Sequence, residues 1–357
     1  MAWDRIGGYE IVAPLGSGGM DDVFFAVSPT AEEAAVEVVR VGGAGWWAYR
    51  MGLRPCGAVV RRVGRNQRAG RHPVLLSGGC HGPGTVGGRS PCRPYDGRVV
   101  RMVMATDAGH PGRANEDFAG AVADGLVLVD GAGGIADAAR VCHHGVAWYA
   151  TRLGGALLGA LSLGHSLREV LAEGIERITD EHRDTCDVAH PISPFAAVAM
   201  LRFVGGRVEH LVLGDAVVVL GRVDGEPFVA HDPREVVIAR SVEQRLQGVP
   251  PGSDRYRRLL GELRAQRNSP GGFWVAKDDP RVVAEAVTGS RPAAGVTGAA
   301  LLSNGASRLV DTFGRTDWAG LLDLLDSAGP EEVIRRVRQA EAREGVATDD
   351  ATIVYRG

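Results

Sequence analysis

One stretch constrains this chain more than any other: Leu126-Val127-Leu128-Val129-Asp130-Gly131-Ala132-Gly133-Gly134. An unbroken apolar run stops at an acid, a cluster of glycines follows, and a helical pattern comes after that. A short apolar run bounded by glycine reads as a buried strand. Its terminal acid then sits at the edge of a sheet, facing a pocket. Three other spots rich in acid or amide oxygens lie at comparable points: Glu116-Asp117, Ser303-Asn304-Gly305 and Thr348-Asp349-Asp350. Oxygen donors delivered from strand ends and loops suit a hard cation such as Mg2+ or Mn2+. Whether the four spots meet is a question of topology.

From residue 98 the chain is well patterned to its end. Residues 99–105 read as a strand, followed by strands over 121–130. Helical spacing of Ala139, Cys142, Val146, Tyr149 and Leu153 predicts a helix over 135–163. Ser166 opens a second helix to about residue 182, with Glu169 as its capping-box partner. Strands are expected over 196–203, 208–213 and 217–223, with Gly205-Gly206 and Asp224-Gly225 as hairpin turns. Helical pieces over 233–267, a strand at 299–303, one or two helices over 317–343 and a closing strand at 351–355 complete the pattern. Strands in hairpins with long helices in pairs predict an α+β sandwich rather than a βαβ wheel.

The first 97 residues differ. Residues 1–40 carry strand-like runs at 9–12, 23–27 and 34–39, the first two joined by Leu15-Gly16-Ser17-Gly18-Gly19-Met20. This resembles the N-lobe opening of a bacterial serine/threonine protein kinase. The resemblance departs where the chemistry would lie: Asp21 replaces the third glycine and Glu37 the ATP-binding lysine, and no His-Arg-Asp or Asp-Phe-Gly follows. A degenerate fragment is expected. Residues 41–97 hold no acid before Asp96, while arginine, glycine and proline accumulate. That composition predicts a disordered linker. Arginine runs also bind phosphate, so an anionic tether is the alternative reading of this span. Cys56, Cys80 and Cys92 with His72 and His81 match no standard zinc finger.

Whole-chain properties exclude some classes. A net charge of -3 over 357 residues suggests no nucleic-acid partner. No apolar run reaches the ~18 residues that span a bilayer. The N-terminus has no signal-peptide apolar segment, and five scattered cysteines argue against a disulfide framework. A cytoplasmic protein is expected, with a monomer favoured.

Six motifs in order carry a family resemblance: Arg113 with Asn115-Glu116-Asp117, Val129-Asp130-Gly131-Ala132-Gly133-Gly134, Ser193-Pro194-Phe195-Ala196-Ala197-Val198, Leu213-Gly214-Asp215, Leu302-Ser303-Asn304-Gly305-Ala306-Ser307, and Asp349-Asp350-Ala351-Thr352. Over about residues 99–356 they resemble a type 2C metal-dependent protein phosphatase, the PPM family. Cys142-His143-His144-Gly145-Val146-Ala147-Trp148-Tyr149 and Pro270-Gly271-Gly272-Phe273-Trp274-Val275 look like an actinobacterial branch.

The resemblance implies a four-layer α-β-β-α sandwich with two antiparallel sheets, preceded here by the small β fragment and the linker. It implies two Mn2+ or Mg2+ ions at one end of that sandwich, with a weaker third. Asp130 would bridge both metals, the carbonyl of Gly131 would ligate one, and Glu116 would hold a metal-bound water. Asn304 and Asp349 would serve the second metal and Asp215 the third. Arg113 would grip the phosphate of a phosphoserine or phosphothreonine protein, because its fork fits two oxygens. A metal-activated water would attack the phosphorus in line.

Departures accompany the match. Asn304 stands where the family has an aspartate, which removes a full charge from the second site. Ala132 leaves no histidine general acid, and Ala216 replaces the serine that usually follows Asp215. A catalytically impaired pseudophosphatase that binds a phosphoprotein is therefore the rival reading. Residue by residue, Asp215 could instead cap a hairpin and Asp349-Asp350 could be solvated turn residues. His143 and His144 are expected on a helix, in packing or surface roles.

Overall fold

The computed structural model describes residues 101–133 and 141–357, together with the backbone of five strands ahead of them. Those strands are β1 (Arg5–Ile6), β2 (Tyr9–Ser17), β3 (Asp21–Val27), β4 (Glu33–Val41) and β5 (Trp46–Leu53). They pair in sequence order as one antiparallel sheet. Strand β5 lies within the span 41–97 expected as a linker. Trp46, Trp47 and Tyr49 are strong β formers. The glycine-rich tip at 18–20 and the rest of the expected linker, with Cys56, Cys80 and Cys92, lie outside the described residues.

Two further five-stranded antiparallel sheets build the body of the molecule. The strands are β6 (Met102–Asp107), β7 (Asp117–Val122), β8 (Gly125–Ala132), β9 (Phe195–Val204), β10 (Arg207–Leu213), β11 (Val217–Arg222), β12 (Phe228–Ala230), β13 (Val287–Pro292), β14 (Val296–Leu302) and β15 (Ala351–Arg356). One sheet has the order β13-β10-β9-β8-β7 and the other β12-β11-β14-β15-β6. The helices are α1 (Val146–Ala160), α2 (Leu167–His182), α3 (Arg234–Leu246), α4 (Asp254–Ala265), α5 (Asn304–Asp311), α6 (Trp318–Ser327) and α7 (Pro330–Glu344).

Alternation along the strands explains the layering, because successive side chains of a strand point to opposite faces. In β8, Val127 and Val129 join Leu153 of α1 and Ile175 of α2 in one core, while Leu126 and Leu128 join Leu301 of β14 and Val354 of β15 in another. In β14, Ala300 and Leu302 face a third core with Leu321 of α6 and Val337 of α7. Helix pair, sheet, sheet and helices thus stack as four layers with three apolar seams. The expected α-β-β-α sandwich is what forms. Each fully buried leucine contributes about 1.5–3 kcal/mol relative to exposure.

Helix α2 begins as the sequence predicts: the Ser166 hydroxyl accepts from the Glu169 amide, and the Glu169 carboxylate accepts from the Ser166 amide. Helix α1 starts later than its periodicity predicts. Gly145 has φ 80°, a left-handed conformation that a helix cannot contain. Cys142, His143 and His144 therefore precede α1 instead of lying on it. Residues 134–140 lie outside the described residues.

Candidate metal and phosphate site

The six ordered motifs each end or begin a strand at the same end of the sandwich. The pairing registers show this directly. Asp117 opens β7 opposite Asp130 near the close of β8, and Asp130 lies opposite Ala197 near the start of β9. Leu213 closes β10 opposite Val198. The chain then crosses through Gly214-Asp215 to β11 in the other sheet, where Val217 pairs with Leu302 at the end of β14. Asp107 at the end of β6 pairs with Ala351 at the start of β15, placing Asp349-Asp350 beside the rest. The question left by the sequence has its answer: the four spots meet.

Hydrogen bonds lock these turns together. The backbone amide of Asn304 donates to Asp130 Oδ2 at 2.8 Å, and its side-chain amide donates to Asp215 Oδ2 at 2.5 Å. Asn304 therefore bridges two carboxylates. Asp350 accepts from the amides of Gly109 at 2.8 Å and Glu116 at 2.6 Å, so it holds the 108–116 loop rather than facing solvent. Asn115 accepts from the Asp117 amide at 2.9 Å and donates to the Thr106 hydroxyl at 2.7 Å. The amide of Gly131 donates to the carbonyl of Glu116 at 3.1 Å. A Cβ at residue 131 would lie 2.3 Å from that carbonyl oxygen, so glycine is required by close backbone approach.

The electrostatics are those of crowded acids. Asp130 keeps partial solvent contact, yet protein atoms surround its carboxyl on nearly every side. Burial first, then Asp117 and Asp215, push its pKa well above the ordinary 3.8, against the Asn304 amide. Asp117 is raised to about 7, mainly by burial and then by Asp350 and Asp349. Both its carboxyl oxygens are buried without a hydrogen-bond partner. The Ser303 and Thr352 hydroxyls oppose the rise, but neither is aligned to bond with it. Asp215 and Glu116 are raised too, chiefly by burial. An array of carboxylates this close ionises fully only beside a cation. The orphaned oxygens of Asp117 and the mutual repulsion fit a site for a hard, oxygen-liking divalent ion.

Two expected site residues are placed less directly. Arg113 is exposed on the 108–116 loop, where its charge lowers the pKa of Glu116. Asp349 keeps a side chain 53% exposed, and Arg308 of α5 donates to its Oδ2 at 2.7 Å. Arg308 also donates to the fully buried Glu341 at 3.0 Å. Sequence reading did not include Arg308, Glu341 or Glu235 in the site. Glu235, on α3, is raised to about 8 by burial and by the nearby charge of Asp215. The pair α3 and α4 thus flanks the acidic cluster, with Ile238 and Leu263 packed on Phe195 and Phe273. Among the described residues no helix is long and apolar enough to cross a membrane.

No family model matches the chain, and neither does any curated protein. Solved structures with a similar chain course include the serine/threonine phosphatase PstP/Ppp of Mycobacterium tuberculosis. It aligns at 20% identity over 72% of this chain and 97% of that one, with a TM-score of 0.47. The catalytic domain of serine threonine protein phosphatase PstP in complex with 2 manganese ions aligns at 19% identity over 72% and 97%, with a TM-score of 0.47. The serine/threonine phosphatase Stp1 of Staphylococcus aureus aligns at 14% identity over 73% and 95%, again with a TM-score of 0.47.

Proposed function

We propose that residues 98–357 form a metal-dependent phosphatase domain that hydrolyses phosphomonoesters on serine and threonine side chains of proteins. One observation carries the reading: Asp117, Asp130, Asp215, Asp349 and Asp350 converge at one end of the two sheets, where burial first and the neighbouring acids second push the pKa of Asp117, Asp130 and Asp215 up. The motif order given above supplies the reaction class. Asp130, Glu116 and the Gly131 carbonyl are the proposed holders of one Mn2+ or Mg2+, with Asp215, Asn304 and Asp349 around further positions. A divalent ion there supplies Lewis-acid neutralisation of phosphate charge and lowers the pKa of water.

The chain's own residues do the rest. Arg113, exposed beside Glu116, offers a planar fork to two phosphate oxygens. Asp350 fixes the loop that carries both residues by binding its two amides. Asn304 sets the separation of Asp130 and Asp215 by donating to each.

A second reading, a catalytically impaired domain that binds a phosphoprotein, is favoured by a specific observation. Asn304 satisfies two carboxylates and Arg308 a third, so protein donors already occupy part of the cluster. Turnover of p-nitrophenyl phosphate by the full chain with excess Mn2+ separates the two. The enzyme reading expects phosphate release that Asp130→Ala reduces by at least about 100-fold, the scale of losing a group that stabilises the transition state. Equal rates for the two proteins at every Mn2+ concentration would leave only the binding reading.

A further inference from the structure

Away from the acidic cluster, a second group of metal-ligating side chains gathers where the chain enters α1. Among the described residues, Cys142, His144 and Cys186 are the one group of histidine, cysteine and acid side chains whose three ligand atoms all lie within 4.8 Å of one another. His144 Nδ1 is 3.4 Å from Cys186 Sγ and 4.0 Å from Cys142 Sγ. His143 Nδ1 is 3.6 Å from Cys186 Sγ. Tetrahedral zinc with Zn–S of about 2.3 Å and Zn–N of about 2.1 Å separates a sulfur and a nitrogen ligand by about 3.6 Å. The observed spacings bracket that value.

We propose that Cys142, Cys186 and His144 bind one Zn2+, with the fourth position on the side of exposed His143. The ligand chemistry selects the ion: two thiolates and an imidazole suit zinc and do not suit the Mg2+ or Mn2+ of an oxygen-lined site. Charge supports it as well. Cys142 is 3% exposed and Cys186 9%, so a divalent cation with two thiolates is a neutral unit in a place that tolerates no net charge. Burial pushes the free Cys142 thiol above its ordinary range, with the Gly145 and His144 amides opposing the rise. The ring of His144 is held by stacking on Trp148 at 4.2 Å between centroids. Binding displaces the two thiol protons to solvent, so affinity rises with pH.

The site has a structural consequence. Cys142 precedes α1 and Cys186 follows α2, and the Asp187 amide donates to the Val141 carbonyl at 3.0 Å between the two segments. Zinc would staple the far ends of this helical hairpin.

Cobalt substitution tests the proposal in the full chain under reducing conditions. Co2+ titration is expected to raise a thiolate-to-cobalt charge-transfer band that saturates near about one equivalent and is abolished by Zn2+. The double variant Cys142→Ser, Cys186→Ser, which retains Cys56, Cys80 and Cys92, is expected to lose the band. The absence of a band in the unaltered protein overturns the proposal whatever the variant does. An unchanged band in the double variant, or a Cys142–Cys186 disulfide found by mass spectrometry in protein purified with reductant, overturns it equally.

Discussion

Asn304 is the residue on which the acidic cluster turns. A carboxylate there would have supplied charge to a cation; the amide instead donates to Asp215 while the backbone donates to Asp130. On the proposed reading, the amide at 304 weakens a metal position while its hydrogen bonds stabilise the protein without metal. Asn304→Asp should act with opposite sign in the two conditions. Without metal it removes a charge-assisted hydrogen bond and adds a like charge, costing about 2 kcal/mol. With saturating Mn2+ the added carboxylate becomes a ligand and the melting temperature should rise above that of the parent. Thermal denaturation with and without Mn2+ checks both halves, and a variant less stable in each condition would mean that residue 304 does not face the ion. At this scale the sequence was partly legible. Asp130, Glu116 and Asn304 stood out because each follows an apolar strand or a motif. The partnership of Arg308 with Asp349, and the use of Asp350 as a loop clamp, were not legible, since both depend on loops more than forty residues or two hundred residues apart meeting in space.

Among the elements, α7 does more than cover a sheet. Its Glu341 is fully buried and accepts from Arg308 of α5 at 3.0 Å and from Arg338 at 2.8 Å. Arg338 in turn donates to the Asp107 side chain at 2.7 Å at the end of β6, and Arg308 reaches Asp349. One ion network thus joins α5, α7, β6 and the loop before β15. Glu341→Ala leaves two arginines facing an uncompensated pocket and should destabilise by about 3–5 kcal/mol, read from urea midpoints. Tyr149→Phe is a smaller test on α1. It removes only the buried hydroxyl that donates to the Lys277 carbonyl at 2.9 Å, so about 1 kcal/mol is expected. Losses of similar size for the two variants would mean the network is not a buried unit. Helices with a strong apolar stripe were legible, α2 down to its cap. The start of α1 was not, because the apolar spacing runs on through Cys142 and only the left-handed backbone at Gly145 ends it.

For the whole molecule, the three apolar seams were readable because β8, β9, β11 and β14 are apolar on both faces and so must be covered twice. The edge strands β12 and β13 were not, being short or largely polar and held by pairing rather than burial. The seam between the sheets holds a buried ionisable ring beneath those edges. His210 of β10 lies 5% exposed on the face of Val208 and Val212, with Phe228 of β12 at 5.1 Å between ring centroids. It faces Gly289 of β13, where any Cβ would strike its ring. Arg291 of β13 lies over the Phe228 ring, and the Nδ1 of His210 has no partner. Burial, then the charge of Arg291, lowers its pKa below the ordinary 6.5. The sign follows from linkage. Above 6.5 both folded and unfolded chains hold a neutral ring and the core is intact. As pH falls below 6.5 the unfolded chain takes the proton first, so stability is lost until the folded-state pKa is passed. The loss is at most about 1.4 kcal/mol per pH unit. Asp117, raised to about 7, works in the opposite direction across part of this range, but it is common to both proteins in a comparison. Urea midpoints about one pH unit above and below 6.5 should therefore show a smaller acid-side loss for His210→Leu than for the parent. Identical pH slopes would place the proton on His210 as readily in the fold as in the unfolded chain, and the seam between the sheets would have to be wetter than its packing indicates.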